Sequence, residues 1–515
     1  MNVTTTLNPF SSRARRTAAA LLTALALTGG CTVGPDYQQP QMGAGSPWAG
    51  LDAGASAPGV TSHVAATPAD VAAWWKQFGD DTLTDLVERS ASGNLTLAQA
   101  ETRVRQARAL RDIAASGLYP TLDASAAVSR ARTNAGTRNL YQAGFDAAWE
   151  IDVFGGTRRA VEAADADVQS AQLDSRSVLV SLVAEVASAY LDLRGQQHQL
   201  AIARENLIAQ QQTLELTQQR FDAGFVSALD VANATAQTNQ TASQIPLFDA
   251  RIRADVFTID VLLGQEPGTL LATLAPEPPA TTTPPPTTVP PGDQPLTSQP
   301  PPVSPSPKPP RDIPIGLPSE LLLRRSDVRK AEADLHAATA RIGVAVANQY
   351  PRFAITGSIG LSGNQASSLV TLADRFWSIG PSVSLPILTG GRTQAEIDQA
   401  EAVAHQAFLA YRQSILVALQ DVDTALVNFT REQQRRASLE ASVAASRQAV
   451  DLSLQLYDNG RTDFLNVLTA QDQLRNIEAA LALSETSVGT DLVALYKALG
   501  GGWNPQQQPE SSSPR

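Results

Sequence analysis

The chain has 515 residues, of which 39 are lysine or arginine and 50 are aspartate or glutamate, so its formal net charge at pH 7 is -11. No basic cluster is interleaved with aromatic side chains, which excludes the usual nucleic-acid-binding classes. The single cysteine excludes an internal disulfide framework and a zinc site built from cysteines.

The N-terminal end has the pattern of a secretory signal. Arg13, Arg15 and Arg16 precede an apolar run at 18–27, and two glycines lead into Cys31. Because the predicted cleavage site ends on a cysteine, we interpret 1–30 as a lipoprotein signal peptide. Cys31 is then the lipid-modified (palmitate-bearing) first residue of the mature chain, and 31–68 is a lipidated N-terminal segment. A buried N-terminal helix with a free thiol is the alternative.

The sequence from about residue 95 to residue 264 recurs 231 to 236 residues later. Tyr119-Pro120 matches Tyr350-Pro351, and Gly155-Gly156 matches Gly390-Gly391 at a slightly larger offset. A match that keeps its order over this length indicates two copies of one long unit. We assign the first repeat to 69–275 and the second repeat to 315–502.

Each repeat contains segments with strand-like alternation, at about 121–153 and about 352–388. Apolar and polar residues alternate there with period two, as in Leu122 to Val128 and Phe353 to Leu361. Such segments of about ten residues are typical of membrane strands. No window after the signal approaches the roughly 18 to 20 apolar residues of a membrane-spanning helix, so we expect any membrane crossing to use strands. A soluble hairpin is the alternative, but its recurrence in both repeats favours the membrane interpretation.

A seven-residue apolar repeat follows the strands in both copies. Its members are Leu179, Val186, Leu193, Leu200, Leu207, Leu214 and Phe221, and then Phe408, Ile415, Val422, Phe429, Val443, Val450 and Tyr457. A heptad held this long predicts packed, supercoiled helices. A helix from Thr157 to Phe221 would be roughly 100 Å long at about 1.5 Å per residue, which predicts a rod or a tube.

Each long helix is expected to end at a glycine, Gly224 or Gly460, in a left-handed cap. Ser227 and Asp463 follow three residues later at aligned positions and suit the N-cap of a returning helix. Each repeat is therefore predicted to form a tight helical hairpin.

Between the repeats, 276–314 contains seventeen prolines. Such a segment cannot bury a core, and we predict an extended or disordered linker rather than a binding element. The last residues, 503–515, are predicted to form a polar tail.

These features together resemble the TolC-like outer-membrane efflux family, and within it the NodT-type lipoproteins. The resemblance is carried by the runs at Cys31–Tyr37, Trp74-Trp75, Leu317–Leu321, Arg324–Val328 and Ala340–Gly343. It implies a mixed α/β membrane protein, in which duplicated coiled-coil hairpins form a periplasmic tunnel. It also implies four strands per protomer in a twelve-stranded β-barrel shared by three protomers. Four strands alone cannot close a membrane barrel, whose known minimum is about eight, so the chain must oligomerise. Two copies would also satisfy this count, and the number three comes from the resemblance.

The resemblance further implies that the two hairpin tips contact a periplasmic adaptor and form the gate. The adaptor-contact candidates are Phe221, Gly224, Ser227, Tyr457, Gly460 and Asp463. The gate candidates are Asp230, Leu465, Asn466, Thr469 and Asp472. Helix capping alone would explain the glycines and Ser227, and Asp230 could serve only as a first-turn helix acid.

The predicted function is an outer-membrane exit duct of a tripartite efflux system, which passively exports small solutes or drugs. Its predicted partners are two further copies of the chain, an adaptor, an inner-membrane pump and outer-membrane lipid. No enzyme motif or metal-ligand spacing is visible, and no cofactor is expected beyond the lipid on Cys31. The alternatives are a lipid-anchored periplasmic coiled-coil scaffold and an exit duct for protein secretion.

Overall fold

A computed structural model describes most of the chain. The described residues are 32–40, 48, 63–65, 71–134, 136–276, 312–314, 324–371 and 374–503. Cys31, the predicted signal peptide, most of the proline-rich segment and 504–515 lie outside the described residues. Within the described ranges, no helix is both long enough and apolar enough to cross a membrane.

The helices and strands follow the duplication in the sequence. In chain order they are β1 (His63–Ala65), a 3₁₀ helix (Trp74–Phe78), α1 (Asp81–Gly93), α2 (Leu95–Ser116), β2 (Thr121–Thr133), β3 (Gly136–Ile151), α3 (Gly156–Asp222), α4 (Ala228–Leu262), α5 (Leu271–Leu274), β4 (Asp312–Pro314), α6 (Ser326–Ala347), β5 (Arg352–Gly363), a 3₁₀ helix (Ala366–Val370), β6 (Arg375–Ser384), α7 (Arg392–Asp458) and α8 (Phe464–Ala498). Helices α3 and α7 both have 67 residues, and α4 and α8 both have 35. These equal lengths agree with two copies of one unit.

The heptad positions explain why α3 and α7 persist as single long helices. Val186 and Leu193 on α3, and Val422 and Phe429 on α7, are completely buried. Burial of one such side chain stabilises the fold by roughly 1.5–3 kcal/mol. Both helices therefore depend on packing along this stripe more than on local helix propensity.

The chain folds into two compact units, and both repeats contribute to each unit. Unit 1 comprises Met1–Gln41, Arg103–Gln172 and Lys330–Arg412. Unit 2 comprises Met42–Thr102, Leu173–Arg329 and Gln413–Arg515. The four-stranded sheet belongs to unit 1, and both turns between long helices belong to unit 2.

In unit 1, the segment that follows Cys31 packs beside the sheet. The backbone N–H of Val33 donates to the carbonyl oxygen of Phe154 over 3.1 Å. The buried guanidinium of Arg159 pairs with Asp36 over 2.5 Å and with Glu162 over 2.8 Å. The ring of Tyr37 stacks on that of His336 with centroids 4.4 Å apart. This segment is therefore held by a backbone hydrogen bond, by the buried Arg159 with its two carboxylate partners, and by a ring contact.

In unit 2, aromatic side chains join the first helices to the end of the second repeat. The rings of Trp74 and Tyr496 stack with centroids 5.1 Å apart, and both are buried. Asp80 caps α1 by accepting from the backbone N–H of Leu83 over 2.9 Å, and its other oxygen accepts from the Tyr190 hydroxyl over 2.8 Å. One carboxylate therefore fixes a helix start and a buried tyrosine together.

Strands β1 and β4, also in unit 2, form a small parallel pair. The pair joins the predicted N-terminal segment to the end of the predicted linker. Neither strand is predicted from the sequence, because three residues carry no periodicity.

Two half-buried acids occupy equivalent positions in the two repeats. Burial raises the pKa of Asp255 on α4 to about 6; Asp192 adds to the rise and Arg251 opposes it. Burial likewise raises the pKa of Asp491 on α8 to about 6, and Glu432 adds to the rise. The charged form of each acid therefore destabilises the folded chain.

These shifts predict how stability depends on pH. A folded pKa of about 6 lies above the unfolded value of roughly 3.9, so the destabilisation is absent below about pH 4 and complete above about pH 6. We expect Asp255→Asn with Asp491→Asn to raise the thermal midpoint at pH 7.5. After allowance for solvent screening, the gain is about 1 kcal/mol per site. The gain should vanish near pH 4. Asp451→Asn, at an exposed position, is the control; an equal gain at both pH values would contradict the assignment.

Candidate functional site

The sheet of unit 1 is the first candidate site. Its strand order is β2-β3-β5-β6, and all neighbours are antiparallel. Within the described residues, β2 pairs only with β3 and β6 pairs only with β5. Both outer strands therefore carry a row of backbone groups that have no strand partner among the residues that the structure describes.

One face of this sheet is apolar and uncovered. The register aligns apolar side chains across the four strands, for example Ala124, Phe145, Ile359 and Trp377 in one row. The exposed large apolar residues of this face are Leu122, Val128, Phe145, Trp149, Ile359, Trp377, Ile379 and Val383. Trp377 is 70% exposed and Ile379 is 72% exposed. A soluble sheet would bury such a face, because an apolar patch of this kind marks an interaction surface.

The opposite face of the sheet is polar. Asp123 and Asp146 lie directly opposite each other on β2 and β3. The Ser125 hydroxyl donates to Asp146 over 2.8 Å, and the hydroxyls of Ser358 and Ser378 lie 2.7 Å apart. Alternation along the strands thus gives the sheet one mainly apolar face suited to lipid and one mainly polar face suited to water.

The hairpin tips of unit 2 form the second candidate site. Gly224 and Gly460 have φ values of +78° and +67°, so both adopt the left-handed conformation. The residue after each glycine donates its backbone N–H to a carbonyl oxygen in the last helical turn. Phe225 donates to the carbonyl of Arg220 and Arg461 donates to the carbonyl of Leu456, both over 2.8 Å. These bonds end α3 and α7 with the same Schellman-type cap.

The returning helices start differently in the two tips. Ser227 is the N-cap residue of α4, and its backbone N–H and hydroxyl both donate to Asp230, each over 2.9 Å. Asp463 is the N-cap residue of α8, but its side chain makes no capping hydrogen bond. Asp230 thus serves the first helix start, one of the two roles that the sequence leaves open for it.

The remaining gate candidates lie on the first turns of α8. Leu465 is 63% exposed. The Asn466 amide donates to the Thr462 hydroxyl over 2.7 Å, and the Thr469 hydroxyl donates to the Leu465 carbonyl over 2.8 Å. Asp472 accepts from Gln237 and pairs with Arg475 over 3.2 Å. The one acid of this group is therefore already partnered.

A guanidinium that the sequence does not predict joins the two tips. Arg220 donates to the carbonyl oxygens of Tyr457 and Asp458 over 2.7 and 2.6 Å, and it pairs with the Asp458 carboxylate over 3.1 Å. It also lies over the Tyr457 ring, 4.5 Å from its centroid. The sequence holds one signal for this contact. Arg220 lies in the last turn of α3, where basic side chains can donate to the carbonyl oxygens at a helix end.

The two aromatic tip candidates have different environments. Tyr457 is buried in a small core with Ala234, Phe464 and Val467. Phe221 is 40% exposed. The most exposed apolar side chains of the tips are Phe225, at 81%, and Leu229, at 66%, and neither stands out in the sequence.

A family model described as "outer membrane efflux protein" matches residues 86–265 and 317–501. The chain belongs to this family. It is therefore an outer-membrane efflux protein, and the predicted resemblance, efflux class and outer-membrane location are confirmed.

Curated relatives agree over nearly the whole chain. The chain is 32% identical to nodulation protein T of Rhizobium leguminosarum bv. trifolii, covering 93% of this chain and 96% of the relative. It is 30% identical to the pyoverdine export outer membrane protein OpmQ of Pseudomonas aeruginosa, covering 90% and 95%. The chain is therefore similar to these proteins along nearly its whole length.

Solved structures give the same result for the fold. The outer-membrane channel OprN superposes with a TM-score of 0.78 at 36% identity, covering 92% of this chain and 100% of that chain. The CmeC outer membrane channel of Campylobacter jejuni superposes with a TM-score of 0.80, but at 22% identity it supports the fold alone. The predicted fold class, long duplicated helices with antiparallel strands, is confirmed.

Proposed function

We propose that this efflux protein is the outer-membrane exit duct of a tripartite efflux system, assembled from three copies of the chain. Solutes would pass through it passively, after delivery by an inner-membrane pump and a periplasmic adaptor. The observation that carries the proposal is the four-stranded sheet, which has one uncovered apolar face, one polar face and two open edges. Passive passage of solutes through the duct needs no catalytic step and no cofactor.

Oligomerisation follows from the physics of the sheet. Unpaired backbone groups cost several kcal/mol each in hydrocarbon, so open edges do not persist there. Since a membrane barrel has at least about eight strands, strands from other copies must complete this one. Three copies would give twelve strands, and the number three follows from the TolC-like family. The polar face, with Asp123 and Asp146, would then line the water-filled interior.

The lipid anchor is part of the proposal. Thr32 packs closely against Gly155: a Cβ added to Gly155 would lie 2.9 Å from the Cα of Thr32. Gly155 follows β3, which ends at Ile151. A lipid on Cys31, one residue before Thr32, would therefore lie close to the base of the membrane sheet.

We assign the hairpin tips to adaptor contact and to the gate. Phe225 and Leu229 offer apolar surface to an adaptor, alongside the predicted contact residues Phe221, Gly224, Ser227, Gly460 and Asp463. For the gate, Asp230 is engaged by a helix cap and Asp472 by Arg475. Leu465 is free to form an apolar constriction with its symmetry mates, so we propose an apolar rather than an acidic gate.

Small solutes fit this family better than secreted proteins. Among similar proteins, OpmQ is named for pyoverdine export, SrpC of Pseudomonas putida for solvent efflux and TtgI for toluene efflux. The chain is 30% identical to each of these three. Equal similarity to a pyoverdine exporter and to two solvent exporters supports small-molecule export and does not favour one substrate.

Native mass spectrometry of the chain, extracted from outer membranes in mild detergent, tests the assembly. We expect a trimer that carries one acylated Cys31 per chain. After reconstitution, the trimer should conduct ions in planar bilayers. A monomer that does not conduct would contradict the exit duct and favour the periplasmic scaffold.

The gate assignment predicts a resting leak. Leu465→Ser removes the apolar plug, and Arg220→Ala removes charged hydrogen bonds of roughly 1.5–3 kcal/mol that hold the two tips together. We expect both variants to raise resting conductance and antibiotic sensitivity, because each loosens the closed tip. Leu483→Ser, an exposed position further along α8, is the matched control. If Leu465→Ser and the control leak equally little, Leu465 is not the gate.

A further inference from the structure

The four strands carry charged side chains on both faces of the sheet, but the two faces carry different charges. The polar face holds Asp123, Arg138, Asp146, Glu150 and Arg352. All charged residues of the apolar face are arginines: Arg130 and Arg132 follow Val128 on β2, and Arg375 precedes Trp377 on β6. No acid of these described strands lies on the apolar face. That face therefore carries positive charge alone.

The arginines of the apolar face lie at the same end of the sheet. In the register of the strands, Arg130 faces Asn139, Arg132 faces Thr137 and Arg375 faces Leu361. At the opposite end, β3 leads to Gly155, against which the segment after Cys31 packs. The proposed lipid on Cys31 would hold that opposite end at the inner leaflet. The arginine end then faces the outer leaflet.

The depth of the apolar band places these arginines at its edge. On the apolar face of β3, every side chain from Ile151 to Tyr141 is apolar or aromatic. This stretch is about 34 Å long at about 3.4 Å per residue, and it covers about 26 Å of depth at a tilt of about 40°, close to the apolar band of about 25 Å in membrane barrels. The next two positions of this face are polar, and they face Arg130 and Arg132. Arg375 lies nearer the band, but its long stem lets the guanidinium reach the same level.

Within the part of the chain that the structure describes, nothing neutralises these side chains. Arg130, Arg132 and Arg375 are exposed, and none of them takes part in an ion pair or a side-chain hydrogen bond with another described residue. Asp374 is the only acid of the sequence from 361 to 377, and the sequence from 128 to 141 has none. A second copy offers no acid from the apolar face of its own strands. The surrounding membrane is then the nearest source of balancing negative charge.

Arginines at the opposite end of the sheet are balanced within the chain. Arg158 pairs with Asp152 over 3.3 Å. Arg352 donates to the side-chain oxygen of Asn348 over 2.7 Å. The contrast between the two ends shows that the arginines of the apolar face differ from those at the base in having no partner among the described residues.

We propose that Arg130, Arg132 and Arg375 bind the phosphate groups of the glycolipid that forms the outer leaflet of the outer membrane. This inference rests on the membrane-spanning sheet of the proposed function. A guanidinium presents paired N–H donors that match two oxygens of a phosphate. Basic side chains at a membrane surface are likewise attracted to anionic headgroups.

The apolar surface next to the arginines favours a lipid over a soluble anion. Val128 and Trp377 lie two residues from Arg130 and Arg375 on the same face, and both are 70% exposed. A free phosphate would balance the charge and leave these side chains uncovered. A phosphorylated glycolipid satisfies both, because its phosphates meet the guanidiniums while its acyl chains cover the apolar residues below. A phospholipid of the inner leaflet would lie at the wrong end of the sheet.

Binding of lipopolysaccharide to the purified full-length protein tests this site. The protein in mild detergent is titrated with lipopolysaccharide, and the bound lipid is counted by native mass spectrometry. We expect Arg130→Gln to weaken binding about fivefold, and the triple variant with Arg132→Gln and Arg375→Gln to weaken it on the order of 100-fold, the usual gain from arginines beside an anionic membrane. Lysine at all three positions keeps the charge and should restore most of the affinity.

Arg138 provides the matched control. It lies at the same end of the sheet as Arg130, is exposed, and faces Ala131 on the polar side. Arg138→Gln therefore removes the same charge from the opposite face, and it should bind lipopolysaccharide as tightly as the native protein. Dephosphorylated lipopolysaccharide should bind the native protein as weakly as the intact lipid binds the triple variant. Phosphatidylglycerol, which tests the other lipid source, should bind the native protein more weakly than lipopolysaccharide.

Three results would overturn the site. They are unchanged binding by the triple variant, equal weakening by Arg130→Gln and Arg138→Gln, and equal affinity of the native protein for phosphatidylglycerol and lipopolysaccharide. In each case the trimer and its conductance would persist, and the proposed function would stand. A native chain that is a monomer, does not conduct and binds neither lipid would contradict both the site and the proposed function.

Discussion

The need to satisfy backbone hydrogen bonds in a medium without water governs the rest of this structure. The sheet offers lipid an apolar face, yet β2 and β6 leave two rows of N–H and C=O groups unpaired in one chain. In hydrocarbon each unsatisfied group costs several kcal/mol, a penalty that assembly removes and side-chain packing does not. Oligomerisation is thus a condition for this sheet to enter the membrane, and the polar interior of an exit duct is a consequence of the same closure.

Duplication supplies the parts for that closure, and the two copies differ at individual side chains of the tips. The backbone is repeated closely, with helices of equal length and the same left-handed glycine caps at Gly224 and Gly460. Two functional-looking side chains of the tips are not repeated: Arg220, which joins the tips, corresponds to Leu456, and Asp230, which supports a helix start, corresponds to Asn466. A repeated backbone frame therefore carries an asymmetric link between its two tips.

Most of the fold could be predicted because it depends on periodicity and on repetition. Period-two alternation located the strands, the heptads located α3 and α7, and Gly224 and Gly460 located the turns. The order β2-β3-β5-β6 could not be predicted, because alternation fixes which face a residue occupies and not which strand lies beside it. The Arg220 link was missed for a related reason, since it joins residues more than 230 positions apart in a place where the repeat is broken. The exposure of Phe225 and Leu229 depends on how the first tip folds back, which the sequence pattern does not encode.

The most direct test of the central claim is whether the apolar face of the sheet touches lipid. The chain has six tryptophans, of which Trp149 and Trp377 lie on that face and the others belong to unit 2. Tryptophan fluorescence would be measured in vesicles that contain lipids brominated along their acyl chains. We predict quenching of the native protein that is lost in the variant with Trp149→Phe and Trp377→Phe. Equal quenching of the two proteins, or none in either, would contradict a lipid-facing sheet.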